Sequence, residues 1–247
     1  MMGSYEFLAG SYDELMRDAA YQKRVDFVER LMRRAKREVR TVLDLACGTG
    51  TMTCLLAGRG YEMIAVDASE DMLMRAREKS RNVPGIAPLF LHQSMQRLDL
   101  NDTVDAAICC MDSLNYLTNP KDLRRTLERL RLFVSPGGAL VFDVHGLRKL
   151  EEMDAQVYLD EDEDVYCVWR TGFQRGMLDY CVDLFRLDAD GRWTRETEFH
   201  RQRYYGIEEL TACLNEAGFG DIRVCGDCRM RKPREDEGRI YFSSVRK

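Results

Sequence analysis

The sequence lacks the features that would place it in a membrane, in a secretory route or on a polyanion. No stretch approaches the roughly 18 uninterrupted apolar residues of a membrane-spanning helix. Met1-Met2-Gly3-Ser4-Tyr5-Glu6-Phe7 has neither the basic flank nor the apolar centre of a signal peptide. A cytoplasmic protein with no membrane partner is therefore expected. No Pro/Ser/Gly-rich tract and no repeat interrupts the chain, so disorder and solenoid folds are excluded in favour of a globule. A zinc pattern is missing too. Nine cysteines are an odd count, Cys47, Cys109 and Cys110 lie inside apolar segments, and Cys225-Gly-Asp-Cys228 has no second pair and no histidine close by, so no metal site is expected. Basic excess is absent as well. With 37 Lys+Arg against 42 Asp+Glu the net charge is −5, which disfavours nucleic acid as a partner.

Two local charge clusters stand out against that background. Arg30, Arg33, Arg34, Lys36, Arg37 and Arg40 crowd the end of an expected N-terminal helix, where cations suit the helix dipole. Asp160-Glu161-Asp162-Glu163-Asp164 reads as a solvated turn.

What is there is a rhythm. The 247 residues suffice for one domain carrying an insertion. From Thr41 to Val144 apolar strand-like runs (Thr41–Ala46, Tyr61–Val66, Ala87–Leu91, Asp105–Cys110, Ala139–Val144) alternate with helical patterns at Thr51–Arg59, Glu70–Ser80 and Lys121–Phe133. Such alternation specifies βαβ units and a parallel sheet. Ser69 is a suitable cap for the second helix, Pro120 a suitable first residue of the third, and Ser135-Pro136-Gly137-Gly138 a turn feeding the fifth strand. After Val144 the pattern changes to three strands joined by short connections (Val165–Gln174, Met177–Leu187, Trp193–Tyr204). A helix over Ile207–Ala217 closed by Gly218 and two strands, Asp221–Cys225 and Arg239–Val245, follow. The fold class is thus α/β, a Rossmann-like doubly wound, mostly parallel seven-stranded sheet with an inserted antiparallel β meander. The units are a helical segment over 1–40, the sheet domain over 41–150 and 206–247, and a lid over 151–205.

The most informative segment is Val42-Leu43-Asp44-Leu45-Ala46-Cys47-Gly48-Thr49-Gly50-Thr51, which runs from a strand through glycines into a helix. Glycines there let backbone approach a ligand, and the helix offers free N–H groups. A dinucleotide fingerprint would put a third glycine where Thr53 stands, so hydride chemistry on NAD is disfavoured. Asp44, in the approach to the loop, would repel a pyrophosphate but accept from the ammonium of an amino-acid cofactor. Asp67, ending the second strand, can accept both hydroxyls of a ribose. S-adenosylmethionine (SAM) meets both conditions.

Val42–Gly50 resembles the first motif of class I SAM-dependent methyltransferases. Asp67, Val104–Cys110 and Leu132–Val144 resemble the later motifs in the right order. Tyr12-Asp13-Glu14-Leu15-Met16 with Tyr21, Asp112–Leu117 and the late meander resemble a small bacterial branch of that class related to sugar N-methyltransferases. The resemblance implies SAM as cofactor, with Asp44, Ala46, Gly48 and Gly50 at its methionine end, Asp67 on the ribose, Ala68 or Met72 against adenine, and Cys110 beside the cofactor. Tyr12 and Tyr21, with Tyr5, are candidates to fold over it. Many relatives carry an acid after the third strand to meet the adenine amino group. Here His92-Gln93-Ser94-Met95 stands in that place, leaving Gln93, Ser94 and the Met95 amide for the ring.

Methyl transfer from a sulfonium asks the protein mainly for alignment and a dry site. A base still helps an oxygen or ammonium acceptor, and the candidates are Asp112, Tyr116 and His145, with His200 and Tyr204 from the meander. A small-molecule O- or N-acceptor is the expected substrate. An RNA or protein methyltransferase using the arginine cluster, and a catalytically idle SAM-binding protein, are the alternatives. Trp169, Phe173, Tyr180, Phe185, Trp193, Phe199 and Tyr204 put more aromatic surface in the meander than a solvated ribbon needs, so it is expected to cover an acceptor pocket or to meet a second copy in a homodimer.

Overall fold

In the computed structural model, residues 12–16 and 19–247 are described; Tyr5 lies outside them. A short helix α1 (Tyr12–Leu15) precedes α2 (Tyr21–Met32), whose buried residues Val25, Val28, Leu31 and Met32 recur at helical spacing on one face. Then come β1 (Thr41–Leu45), α3 (Thr51–Ala57), β2 (Glu62–Asp67), α4 (Glu70–Ser80), β3 (Leu89–His92), β4 (Val104–Cys109), α5 (Pro120–Phe133) and β5 (Val134–His145). Ser69 Oγ accepts from the Met72 amide at 3.3 Å and so caps α4. Asn119 caps α5, with Pro120 in its first turn, where no amide is needed.

These strands pair in the order β3-β2-β1-β4-β5, all parallel, and β11 (Arg239–Arg246) and β10 (Phe219–Cys225) extend the sheet antiparallel beyond β5. All six residues of β4 are buried, as a central strand covered on both faces requires. On one face Leu43 and Leu45 meet α5 and α7 (Ile207–Glu216) through Leu127, Leu130, Leu210 and Leu214. On the other, Val42 meets Val25, Val28, Leu31 and Leu56 of α2 and α3. Chain order reverses between β1 and β4, so a crevice opens outside their carboxyl ends.

Four local expectations change. Ser135-Pro136-Gly137-Gly138 is part of β5, because Val134 already pairs with Val104 before the register jumps to Ala139 against Ala106. Gly138 permits that bulge, since a Cβ there would stand 2.6 Å from the Asp105 carbonyl oxygen. The insertion holds four strands rather than three: β6 (Val157–Glu161), β7 (Val165–Gln174), β8 (Met177–Leu187) and β9 (Trp193–Arg203), paired antiparallel in that order behind a short helix α6 (Leu147–Glu152). Asp160 and Glu161 end β6 and only Asp162–Asp164 form the turn; acidic residues on so short an edge strand block further pairing. Finally, α2 stops at Met32, so most of the arginine cluster follows the helix, and Arg34, Arg37 and Arg40 are paired with Asp221, Asp105 and Glu38. No helix among the described residues is long and apolar enough to cross a membrane.

Candidate active site

The crevice holds a cavity of about 390 Å³. Its floor is the loop between β1 and α3, where Ala46, Gly48 and Gly50 take positive φ (60°, 55° and 72°). Gly48 faces open space, since a Cβ built there meets no atom within 4 Å. Gly50 is set behind the loop. A Cβ on it would approach that of Ala76 on α4 to 2.8 Å, so this glycine serves helix packing and does not line the cavity.

Two carboxylates organise the floor. Asp67 binds the loop to its own strand end, Oδ2 accepting from the Gly48 amide at 2.8 Å and Oδ1 from the Ser69 amide at 2.9 Å. Asp67 also lines the cavity, and a carboxylate has acceptor capacity beyond these two bonds. Burial raises its pKa above the usual carboxylate value, against those amide bonds. Asp44 is 3 % exposed and accepts from Thr53 Oγ1 at 2.5 Å. Burial, with Asp67 adding to it, pushes its pKa up to about 6 despite that hydroxyl. An acid so placed gains from a bound cation.

Ala68, Met72, Ser94, Met95 and Cys110 line the walls, and Tyr12 and Tyr21 close one side. Gln93 also reaches the cavity, but its amide is engaged with Asp99, donating to the backbone oxygen at 2.9 Å and accepting from the amide at 2.8 Å. Of the side chains expected to replace the missing acid, Ser94 alone stays available. Thr49, Met52, Met111 and Ser113 also line the cavity, which sequence reasoning missed. At the mouth, Asp13 of α1 ion-pairs with Lys79 Nζ at 2.7 Å and accepts from Thr49 Oγ1 at 2.7 Å, fastening the first helix across the glycine loop.

Of the five candidate bases, the three outside the meander separate. Tyr116, in the turn Ser113–Tyr116, lines the cavity and lies edge-on to the buried His200 of β9, whose Nε2 is 3.0 Å from Glu198 Oε2. Asp112 and His145 do not line it. They belong to a buried network in which Asp112 accepts from Arg239 at 2.5 Å and from Gln202 at 2.9 Å and stands 3.2 Å from His145 Nε2. Burial pushes the Asp112 carboxyl up, but His145 and Arg239 outweigh it and hold it well below the usual range. Asp143 pairs with the same Arg239 and accepts from the Met111 and Asp112 amides at 2.9 and 3.0 Å, bracing two consecutive residues at positive φ. A carboxylate with so many donors is a poor proton acceptor, and its task is to fix the loop after β4.

Comparison with known proteins agrees with this geometry. A family described as a methyltransferase domain matches residues 42–138. YqeM of Bacillus subtilis, which bears a methyltransferase name, is 33 % identical over 243 residues, covering 97 % of this chain and 96 % of its own. A SAM-dependent methyltransferase of Clostridium acetobutylicum superposes with a TM-score of 0.87 at 26 % identity over 99 % of both chains. The sugar N-methyltransferase KedS8 of Streptoalloteichus superposes with a TM-score of 0.84 at 21 % identity, covering 100 % of this chain and 96 % of its own, a likeness of fold.

Proposed function

The chain belongs to the class I SAM-dependent methyltransferases, and from that premise we propose that its acceptor is a nitrogen or oxygen atom of a small molecule. The observation that carries this reading is Tyr116, which lines the cofactor cavity with one side and packs against the insertion with the other. His200 of β9 thereby backs the Tyr116 wall of the cavity, which favours an enclosed ligand over a macromolecular surface.

The residues fit the cofactor. A glycine face open to the cavity, a buried acid at the end of β1 and a second acid at the end of β2 suit an ammonium, a chain and a ribose in that order. When bound, SAM supplies a methyl group on a positively charged sulfur, ready for in-line displacement. Asp44 takes the ammonium, Asp67 the ribose hydroxyls, and Ser94 and the Met95 amide the adenine. Tyr12 and Tyr21 cover the site against water, and Asp13 on Lys79 holds that cover in place. Tyr116 Oη accepts a hydrogen bond from the acceptor and orients its lone pair, with Glu198 and His200 setting the ring. The insertion over 151–205 acts as the lid that selects the acceptor.

The test incubates the protein with methyl-labelled SAM and fractionated cell extract. Label in small metabolites supports the reading. Label in RNA or protein overturns it, and binding of SAM without transfer in any fraction marks an idle binding protein.

A further inference from the structure

A second cavity, of about 480 Å³, lies away from the first between the inner face of the insertion, α6 and the segment leading into β11. Its walls carry three aromatic rings from three successive strands: Tyr158 of β6, Trp169 of β7 and Tyr180 of β8. The pairing register puts them on one face, because Tyr158 stands opposite Trp169, and Tyr180 opposite Thr171, two residues along from Trp169. Trp169 and Tyr180 meet at 81° with centroids 6.4 Å apart, forming a corner of two ring faces. Asp236, exposed to solvent, is also on the lining, and its side chain makes no hydrogen bond or ion pair with any described residue. Glu152 is also on the wall but is held by Arg148 at 2.9 Å. Lys149 contributes the one positive charge on the lining.

We propose that this groove is a recognition site for a cationic group, an alkylammonium. Aromatic faces attract a cation through the ring quadrupole, and an unpaired carboxylate on the same lining supplies the counter-charge. The groove shares no lining residue with the cofactor cavity, but hydrogen bonds tie its wall to the loop after β4. Tyr180 Oη donates to Gln202 Oε1 at 3.1 Å, Gln202 Nε2 donates to Asp112 Oδ2 at 2.9 Å, and the neighbours of Asp112, Met111 and Ser113, line the first cavity.

The protein has two tryptophans, so Trp193→Phe, on the opposite face of the insertion, leaves Trp169 as the sole reporter in its own groove. Fluorescence of that variant is titrated at constant ionic strength with choline and with its neutral carbon isostere, 3,3-dimethylbutan-1-ol. Choline quenches saturably and the isostere binds at least about tenfold more weakly, as a cation–π site requires. Added to the same background, Tyr158→Ala and Asp236→Asn weaken choline severalfold and Lys149→Gln strengthens it, with circular dichroism confirming the fold. Equal response to both probes, or none to either up to about 0.1 M, overturns the proposal. SAM binding by calorimetry is measured on the same samples. Its absence from the wild type would undo the methyltransferase reading itself, whereas its presence beside a silent Trp169 undoes only this site.

Discussion

The ring of Tyr116 stands edge-on to that of His200, centroids 6.0 Å apart and planes at 85°, joining the loop after β4 to the last strand of the insertion. Tyr116 therefore lines the cofactor cavity and touches the insertion, and a change in this one side chain should separate cofactor binding from transfer. Tyr116→Phe keeps the ring and loses the hydroxyl. SAM affinity should stay within about twofold while kcat falls about 10²-fold or more. Calorimetry and single-turnover kinetics on one preparation check this, and an unchanged kcat removes Tyr116 from the chemistry.

Asp67 is a harder loss. It braces the glycine loop, and on the proposed ribose assignment Asp67→Ala should weaken SAM by roughly 2–3 kcal/mol, the worth of hydrogen bonds to a charged group. Calorimetric affinity equal to the wild type, in a folded variant, would reject the ribose assignment.

The two glycines of the loop should fail differently. Gly50→Ala forces a Cβ onto Ala76 at a positive φ, so the melting temperature should drop, and Ala76→Gly should restore part of it. Gly48→Ala adds a methyl to open cavity space, costs backbone strain alone in stability, and should lower SAM affinity more than Gly50→Ala does. Thermal melts and SAM titrations of the three variants decide between these outcomes.

Asp44 gives the site a pH dependence. Its folded pKa, about 6, is raised above the unfolded value, so its contribution to stability is fully present below the unfolded pKa and is lost as pH rises through about 6. A bound ammonium favours the ionised acid, so SAM affinity should climb between pH 5 and about 7 and then level off. Asp44→Asn should flatten both curves, and a wild-type affinity flat across that range would contradict the assignment.

Arg239 lies between Asp112 and Asp143, and its removal leaves two carboxylates buried without their cation. Arg239→Met should cost about 3–5 kcal/mol, seen as a fall of roughly 6 °C or more in melting temperature. A melting temperature within a degree of wild type would show that the network is not holding the loop after β4.

Much of the fold was legible because it rests on local rules. Apolar runs at strand spacing, Ser69 and Pro120 at helix starts, and glycines at a strand-to-helix turn act over a few residues, so βαβ order and the glycine loop could be read in one dimension. Asp44 and Asp67 were legible for the same reason, each sitting at the end of its own strand. The short edge strand β6 escaped notice because its apolar residues run into an acidic tail and its pairing lies wholly with β7.

The function of a polar side chain was decided only in three dimensions. Asp112, Tyr116 and His145 all follow strand ends and look alike in sequence. Arg239, distant in the chain, reaches Asp112 through the antiparallel pairing of β11 with β5 and turns an apparent base into a brace, while Tyr116 is left on the cavity wall. Gly50 and Gly48 are likewise equivalent in a motif and opposite in place, one against Ala76 and one facing open space. Charge pairing and close packing depend on which elements meet, and that is set by the sheet order rather than by any local run of residues.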